Sequence, residues 1–254
     1  MVPVAAKSSY YFYGKFKMKT LSVRVKSFAS MILVMGLTTG CATSGEAKDP
    51  IEGFNRAVFS FNDGLDKVVL KPVAKGYDAA LPNPVRSGVT NFFGNVADVF
   101  VGVNNLLQGK VAEGVSDFGR VVVNSTVGLL GVLDVASNMG LEKHDEDFGQ
   151  TFGRWGIGSG AYVVVPLFGP RTVRDTAGLV LDVAADPVAN LDHVPTRNTL
   201  ATIRLINDRA DLLPADKVIE EAALDKYSYV RDAYLQRRRS LIYDGNAPRE
   251  TESQ

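Results

Sequence analysis

Between residues 85 and 107 apolar side chains recur at Val85, Val89, Phe92, Val96, Val99, Val103 and Leu106, with Phe93, Phe100 and Leu107 widening the stripe. The run is rich in valine and phenylalanine, which favours strands. A 3.6-residue period sustained over the whole segment nevertheless specifies a helix. About half the circumference of that helix is apolar, more than a peripheral helix on a small domain usually shows. A second stripe falls at Ile51, Phe54, Val58, Phe61, Leu65 and Val68, in steps of 3, 4, 3, 4 and 3. Asp49-Pro50-Ile51-Glu52 announces it with a capping residue, a proline for the first turn and an early glutamate. Pro72 is expected to close this helix, and Leu81-Pro82-Asn83-Pro84 to be a stiff extended entry to the next. Gly109 ends the 85–107 helix, and Val111, Val115, Phe118 and Val122 open another. Further helical patterns cover 172–185, 196–213 and 216–242, broken by Pro187, Pro195 and Pro214. The last is polar, with Tyr227, Val230, Tyr234 and Leu241 on one stripe and Arg237, Arg238 and Arg239 near its end. Those arginines suit either anionic lipid headgroups or acidic partners, or else a solvated helix end.

The segment from Trp155 to Pro170 carries no charge and contains Gly156, Gly158, Gly160, Pro166, Gly169 and Pro170. It is too short and too broken to span a bilayer as a helix. Its centre, Ala161-Tyr162-Val163-Val164-Val165, reads as a short strand, which predicts a β-hairpin or a re-entrant element. The fold class is therefore all-α, mainly helical, with this one Gly-rich exception, and 49–243 reads as a single domain.

Composition removes several chemistries. One cysteine in 254 residues makes no internal disulfide and no multi-cysteine metal site, and two histidines leave little for a histidine-rich centre. The formal net charge is zero, yet residues 1–40 hold six Lys and Arg and no acid, leaving −6 on the remainder. A nucleic-acid binder is expected to show the opposite sign. Gly156-Ile157-Gly158-Ser159-Gly160 precedes a strand where a nucleotide loop would follow one. Asp175-Thr176-Ala177-Gly178 lacks the glycine directly after threonine that an aspartic-protease loop needs, and reads as a helix turn. Neither Ser125 nor Ser159 lies in a nucleophile elbow. The run Glu142-Lys143-His144-Asp145-Glu146-Asp147 reads as a solvated charged loop rather than a metal site.

The N-terminal part carries an address. A basic stretch from Lys19 to Lys26, an apolar run from Phe28 to Leu37 and the small residues Thr38, Thr39 and Gly40 lead into Cys41. This is a secretory signal layout over 1–40. Met18 before Lys19 is the expected true start, which makes 1–17 an upstream over-call. Leu37-Thr38-Thr39-Gly40-Cys41 resembles a bacterial lipobox, with Thr38 where that pattern usually has leucine. The resemblance implies diacylglycerol and acyl modification on Cys41, and two or three chains make a stable anchor where one would not. Ala42 fits outer-membrane sorting, 41–48 is a lipidated polar linker, and 244–254 reads as a disordered tail. An anchored chain with wide apolar stripes, no transmembrane helix and no catalytic constellation suits handling lipids better than transforming them.

Asp49-Pro50-Ile51-Glu52-Gly53-Phe54-Asn55-Arg56, followed by Phe59-Ser60-Phe61-Asn62, resembles the opening signature of the MlaA/VacJ lipoproteins. Similar strings follow in the expected order: Asn91-Phe92, Leu107-Gln108-Gly109, residues 120–126 with Gly128, residues 147–153, and residues 167–175. The resemblance implies a ring-shaped helical protein in the inner, periplasmic leaflet of the outer membrane, with an amphipathic channel. It implies no enzyme activity and no cofactor. Its implied partners are glycerophospholipids, a trimeric porin and a soluble periplasmic carrier resembling MlaC, and its implied role is retrograde phospholipid transport that maintains lipid asymmetry. Carried over, Cys41 is the anchor, Phe59, Phe61 and Asn62 match the helix controlling channel access, and Gly156, Gly158 and Gly160 match the region near the pore. Asn55, Arg56, Arg174 and Asp175 are signature polar residues, the last two expected to pair. The competing reading is a non-transporting scaffold lipoprotein that docks porins or other envelope partners.

Overall fold

A computed structural model describes residues 49–248, so Cys41, the signal segment and the linker to residue 48 lie outside the described residues. The chain runs through α1 (Glu52–Leu65), a π-helical turn (Asp66–Leu70), α2 (Lys71–Ala80), α3 (Asn83–Leu107), α4 (Val111–Thr126), α5 (Val135–Asn138) and α6 (Phe148–Arg154). A two-stranded antiparallel hairpin follows, β1 (Tyr162–Val165) and β2 (Gly169–Thr172), with Tyr162 opposite Thr172 and Val165 opposite Gly169. The remainder is α7 (Val173–Ala185), α8 (Val194–Asp211), α9 (Leu213–Ala222) and α10 (Lys226–Ile242). The expected helical class holds, and the Gly-rich segment is a hairpin.

Four prolines behave differently from the sequence expectation, among them Pro84, which stands in the first turn of α3 rather than in an extended entry. Pro72 does not close the first helix, because the π turn widens the backbone just before it. There Lys71 N–H donates to Asp66 O, five residues back, and the proline enters α2 in its first turn, where no N–H is required. Pro195 and Pro214 likewise sit inside the first turns of α8 and α9 rather than between helices. The pattern over 216–242 is two helices, separated where the Asp225 side chain accepts from Tyr227 N–H and caps α10. At the other end of α10, residues 244–248 are not the start of a disordered tail. Gly245 N–H donates to Ser240 O (2.9 Å), and Asp244 pairs with Lys110 at 2.5 Å.

The long hairpin of α3 and α4 sets the character of the molecule. Its inward stripe on α3 is Gly88, Asn95, Asp98, Gly102 and Asn105, and on α4 it is Gly114, Asp117, Arg120 and Asn124. Both stripes are small or polar. At the crossing, a Cβ on Gly102 would lie 3.2 Å from Gly114 O and one on Gly114 3.0 Å from Gly102 O, so the backbones touch. Such close contact of small residues, glued by polar pairs, is how helices associate in an apolar solvent. The valines of the stripe expected on α4 face the other way, Val111, Val115 and Val122 being 61%, 62% and 63% exposed, while Phe118 packs against α3 at Gly102. Of the first expected stripe, Ile51 just before α1, Phe54 and Phe61 on it and Val68 in the π turn are also exposed, while Asn55 on α1 is fully buried. Among the described residues the apolar cluster of Tyr162, Val164 and Tyr227, with Val58, Phe59, Tyr234 and Leu235 packed on it, is small, and Phe93, Val101 and Ile242 are buried outside it.

Candidate functional site

The face of α1 that meets the hairpin is built around two asparagines seven residues apart, hence on the same side of the helix. Asn55 Nδ2 donates to Tyr162 O (3.0 Å) and its Oδ1 accepts from Val164 N–H (2.8 Å). Asn62 repeats this at the hairpin turn, donating to Val165 O (3.1 Å) and accepting from Leu167 N–H (2.9 Å). Each amide stands in for a neighbouring strand on an edge that would otherwise lack one. Between them Phe59 meets the Tyr227 ring edge-on at 5.6 Å, whereas Phe61 points outward and is exposed. The structure therefore brings Phe59 and Asn62 to the hairpin and leaves Phe61 on the surface.

Asn55 also donates to Asp49 (2.7 Å), a fully buried carboxylate that accepts from the Tyr227 hydroxyl and pairs with Arg231 at 3.6 Å. The residue at the end of the linker is thus tied to both α1 and α10. Arg56, next to Asn55, stacks 4.4 Å above the Tyr227 ring and binds Glu52 (2.6 Å) and Asp225 (2.7 Å). The Arg56 guanidinium holds the Asp225 carboxyl well below the usual carboxylate range.

Arg174 and Asp175 pair as expected, with Arg174 Nε and Nη2 at 3.0 and 2.9 Å from Asp175 Oδ1. They belong to a larger node. Tyr234 donates to Asp175 (2.7 Å), and Arg238 bridges Asp175 (3.1 Å) and both oxygens of Asp147 (2.6 Å each). Burial pushes the Asp175 carboxyl up, but Arg238, Tyr234 and Arg174 together hold it below its ordinary value. α6 and α7 reach this node because Gly149 and Gly178 abut: a Cβ on Gly178 would sit 2.4 Å from Gly149 N. Asp182, one turn beyond Gly178, is pushed up to about 6, chiefly by burial; the Phe148 N–H opposes this and the nearby Asp147 charge adds to it. Gly156 (φ +88°) and Gly160 (φ +67°) make the exposed connection into β1, and Gly158 lies between them with open space around its Cα.

Two charged runs are tied into the fold. The run 142–147 is no solvated loop: Lys143 binds Asp98, His144 Nδ1 lies 2.8 Å from Asp117, Glu146 pairs with Lys110 (2.8 Å), and Asp147 with Arg238. It straps α3, α4 and α10 together because buried carboxylates and arginines on those helices need partners. Arg120, 2% exposed, completes the strap by binding Asp98 (3.3 Å), Asp134 (3.1 Å), Ser137 (3.0 Å) and Leu141 O (2.6 Å). In the triple arginine only Arg238 is buried; Arg237 is exposed and meets Asp145 at 3.3 Å. The inward stripe of α10 is Tyr227, Arg231, Tyr234 and Arg238, in place of one through Val230 and Leu241. The seven-residue spacing of the two arginines is the signal that marks them.

Among the described residues, polar side chains outnumber apolar ones in the buried set, and many of the exposed ones are large and apolar. No described helix is long and apolar enough to cross a membrane. The MlaA lipoprotein family model matches residues 47–241. The chain is 37% identical over 217 residues to the intermembrane phospholipid transport system lipoprotein MlaA of Escherichia coli K12, covering 82% of this chain and 86% of that one. The Haemophilus influenzae protein of the same name is 29% identical over 91% of this chain and 96% of its own length. A solved structure described as "Structural basis for maintenance of bacterial outer membrane lipid asymmetry" superposes with a TM-score of 0.67 at 34% identity, covering 78% of this chain and 99% of that chain. This chain belongs to the MlaA lipoprotein family.

Proposed function

We propose that this protein is an outer-membrane lipoprotein that removes mislocalised glycerophospholipid from the outer leaflet and passes it to a soluble periplasmic carrier. The observation that carries this reading is the inverted polarity of the helices. Valines 111, 115 and 122 face outward while Asp117, Arg120 and Asn124 on the same helix face inward. In water that arrangement forfeits the hydrophobic effect; against acyl chains it satisfies both faces. Lipid on Cys41 would hold the body at the periplasmic leaflet, beside a trimeric porin and within reach of an MlaC-like carrier, as in the family. Access to the lipid path is assigned to Phe59, Phe61 and Asn62 and to the connection bearing Gly156, Gly158 and Gly160. In support, Asn62 pins the hairpin turn through two backbone bonds. Phospholipid enters and leaves unchanged, so the role needs no catalytic group.

The test measures surface phospholipid in a deletion strain with an added phospholipase that does not cross the membrane. Wild type restores a low surface level, Cys41→Ala does not, and Asn62→Ala alters the level while the protein remains folded and in the membrane fraction. Surface phospholipid that is unchanged on deletion, under conditions of expression, overturns transport and leaves a scaffold.

A further inference from the structure

An open groove of about 530 Å³ runs along the N-terminal half of α3, with Val85, Val89 and Phe92 on one wall and Leu200, Ile203 and Val132 on the other. No charged side chain lines it. Within it α3 and Val132 approach closely at Gly88, where a Cβ would come 3.0 Å from Val132 Cγ1. The outward valines of α4 make a ridge that any bilayer covers. This groove is concave and of small-molecule size. Arg204, the residue after Ile203 on α8, holds its guanidinium 5.9 Å from the ring centroid of Phe93, which also lines the groove. Arg204 pairs with Asp186 through one Nη, and a guanidinium has donors to spare for an anion. A groove for one apolar chain with a cation beside it can take one of the two acyl chains of a phospholipid together with its phosphate.

We propose that this groove is an acyl-chain subsite and that Arg204 takes the headgroup phosphate. The proposal rests on the lipid-handling reading above and deepens it by naming where one chain lies. It does not use the hairpin junction, so the two ideas fail separately.

The experiment labels the detergent-solubilised lipoprotein with phosphatidylethanolamine carrying a diazirine on one acyl chain, and maps the adducts by peptide mass spectrometry. Adducts are expected on the peptides holding Val89, Phe92, Leu200 and Ile203. Val85→Trp, at an exposed rim position, fills the groove and lowers labelling of the α8 peptide at least fivefold, with labelling of α4 unchanged. Leu200→Trp, from the opposite wall, does the same and stands in if the first variant lowers the melting temperature. Arg204→Gln removes the preference for the phospholipid over a diacylglycerol bearing the same diazirine. Labelling confined to the α4 valines, or an α8 signal indifferent to both tryptophans, overturns the subsite. An unchanged preference in Arg204→Gln overturns the phosphate contact. If Val85→Trp displaces the lipid from the groove yet restores low surface phospholipid to a deletion strain, a chain bound there is not one in transit, and the groove's place on the lipid path falls while transport stands. If wild type labels the groove but deletion leaves surface phospholipid unchanged, transport falls.

Discussion

Asn55 shows how much one side chain can hold in a protein with little apolar core. Its amide serves the Val164 N–H, the Tyr162 carbonyl and the Asp49 carboxylate at once. Truncation to alanine leaves all three short of a partner inside the fold, at roughly 1 kcal/mol or more for each. We expect Asn55→Ala to cost about 3 kcal/mol in detergent, read as a lowered denaturation midpoint, and Asn55→Asp to be no better because it sets a second carboxylate against Asp49. Asp182 works in the opposite sense. Its folded pKa of about 6 lies above the roughly 3.9 of an unfolded aspartate. Below about pH 4 it is protonated in both states and costs nothing; the penalty grows between about pH 4 and 6 and is complete above. Asp182→Asn, which keeps an oxygen for the Phe148 N–H, is therefore expected to stabilise the protein at pH 7.5 by about 1 to 2 kcal/mol, discounted because the group keeps some solvent contact. The gain should vanish at pH 4; a gain independent of pH would mean that the charge is not its source. The Arg174 and Asp175 pairing was readable because the two are adjacent and opposite in charge. Asp147 and Arg238, which complete that node from distant helices, were not: one sat in an acidic run and the other in a run of three arginines, where composition looks solvated.

Helices were recognisable because a 3.6-residue period survives whichever solvent surrounds them. The period does not say which stripe faces in. On α4 the valine stripe and the Gly114, Asp117, Arg120 and Asn124 stripe are equally regular, and only packing against α3 shows the second to be inside. The consequences of proline are hidden in the sequence for a related reason. Its effect depends on local hydrogen bonding, and a π turn before Pro72, or a first-turn position for Pro195 and Pro214, removes the conflict. Close helix approaches are the most brittle part of this design. Gly178→Ala places a carbon 2.4 Å from the Gly149 nitrogen and 2.7 Å from its Cα, and backbone cannot move aside as a side chain end can. Separating α6 from α7 would also stretch the Arg238 bridge between Asp147 and Asp175. Loss of several kcal/mol is expected, and with it cooperative unfolding. Replacement at the exposed Gly158, which meets nothing within 4 Å, should leave the melting temperature nearly unchanged.

The lipid proposed on Cys41 and the apolar exterior of the folded body would make two separable attachments to the membrane. The lipid anchor alone predicts that Cys41→Ala is released into the soluble fraction. The apolar surface predicts that it stays. Exposed Val115 and Val122 each bring apolar area that burial in acyl chains rewards at about 25 cal/mol per Å², and they are not isolated, since Val111 continues their stripe. Glutamate at 115 and 122 removes that gain and adds charges that resist leaving water. Neither residue contributes to the buried polar interface with α3, so folding is expected to survive with changes near 0.5 kcal/mol. In a flotation gradient Cys41→Ala should therefore rise with the vesicles. Val115→Glu with Val122→Glu should rise too, held by its lipid. Only the combined variant should remain at the bottom. If Cys41→Ala alone stays at the bottom, the acyl groups carry the attachment and the outward valines serve contact with a protein instead, which transfers the meaning of the inverted helices from lipid to partner.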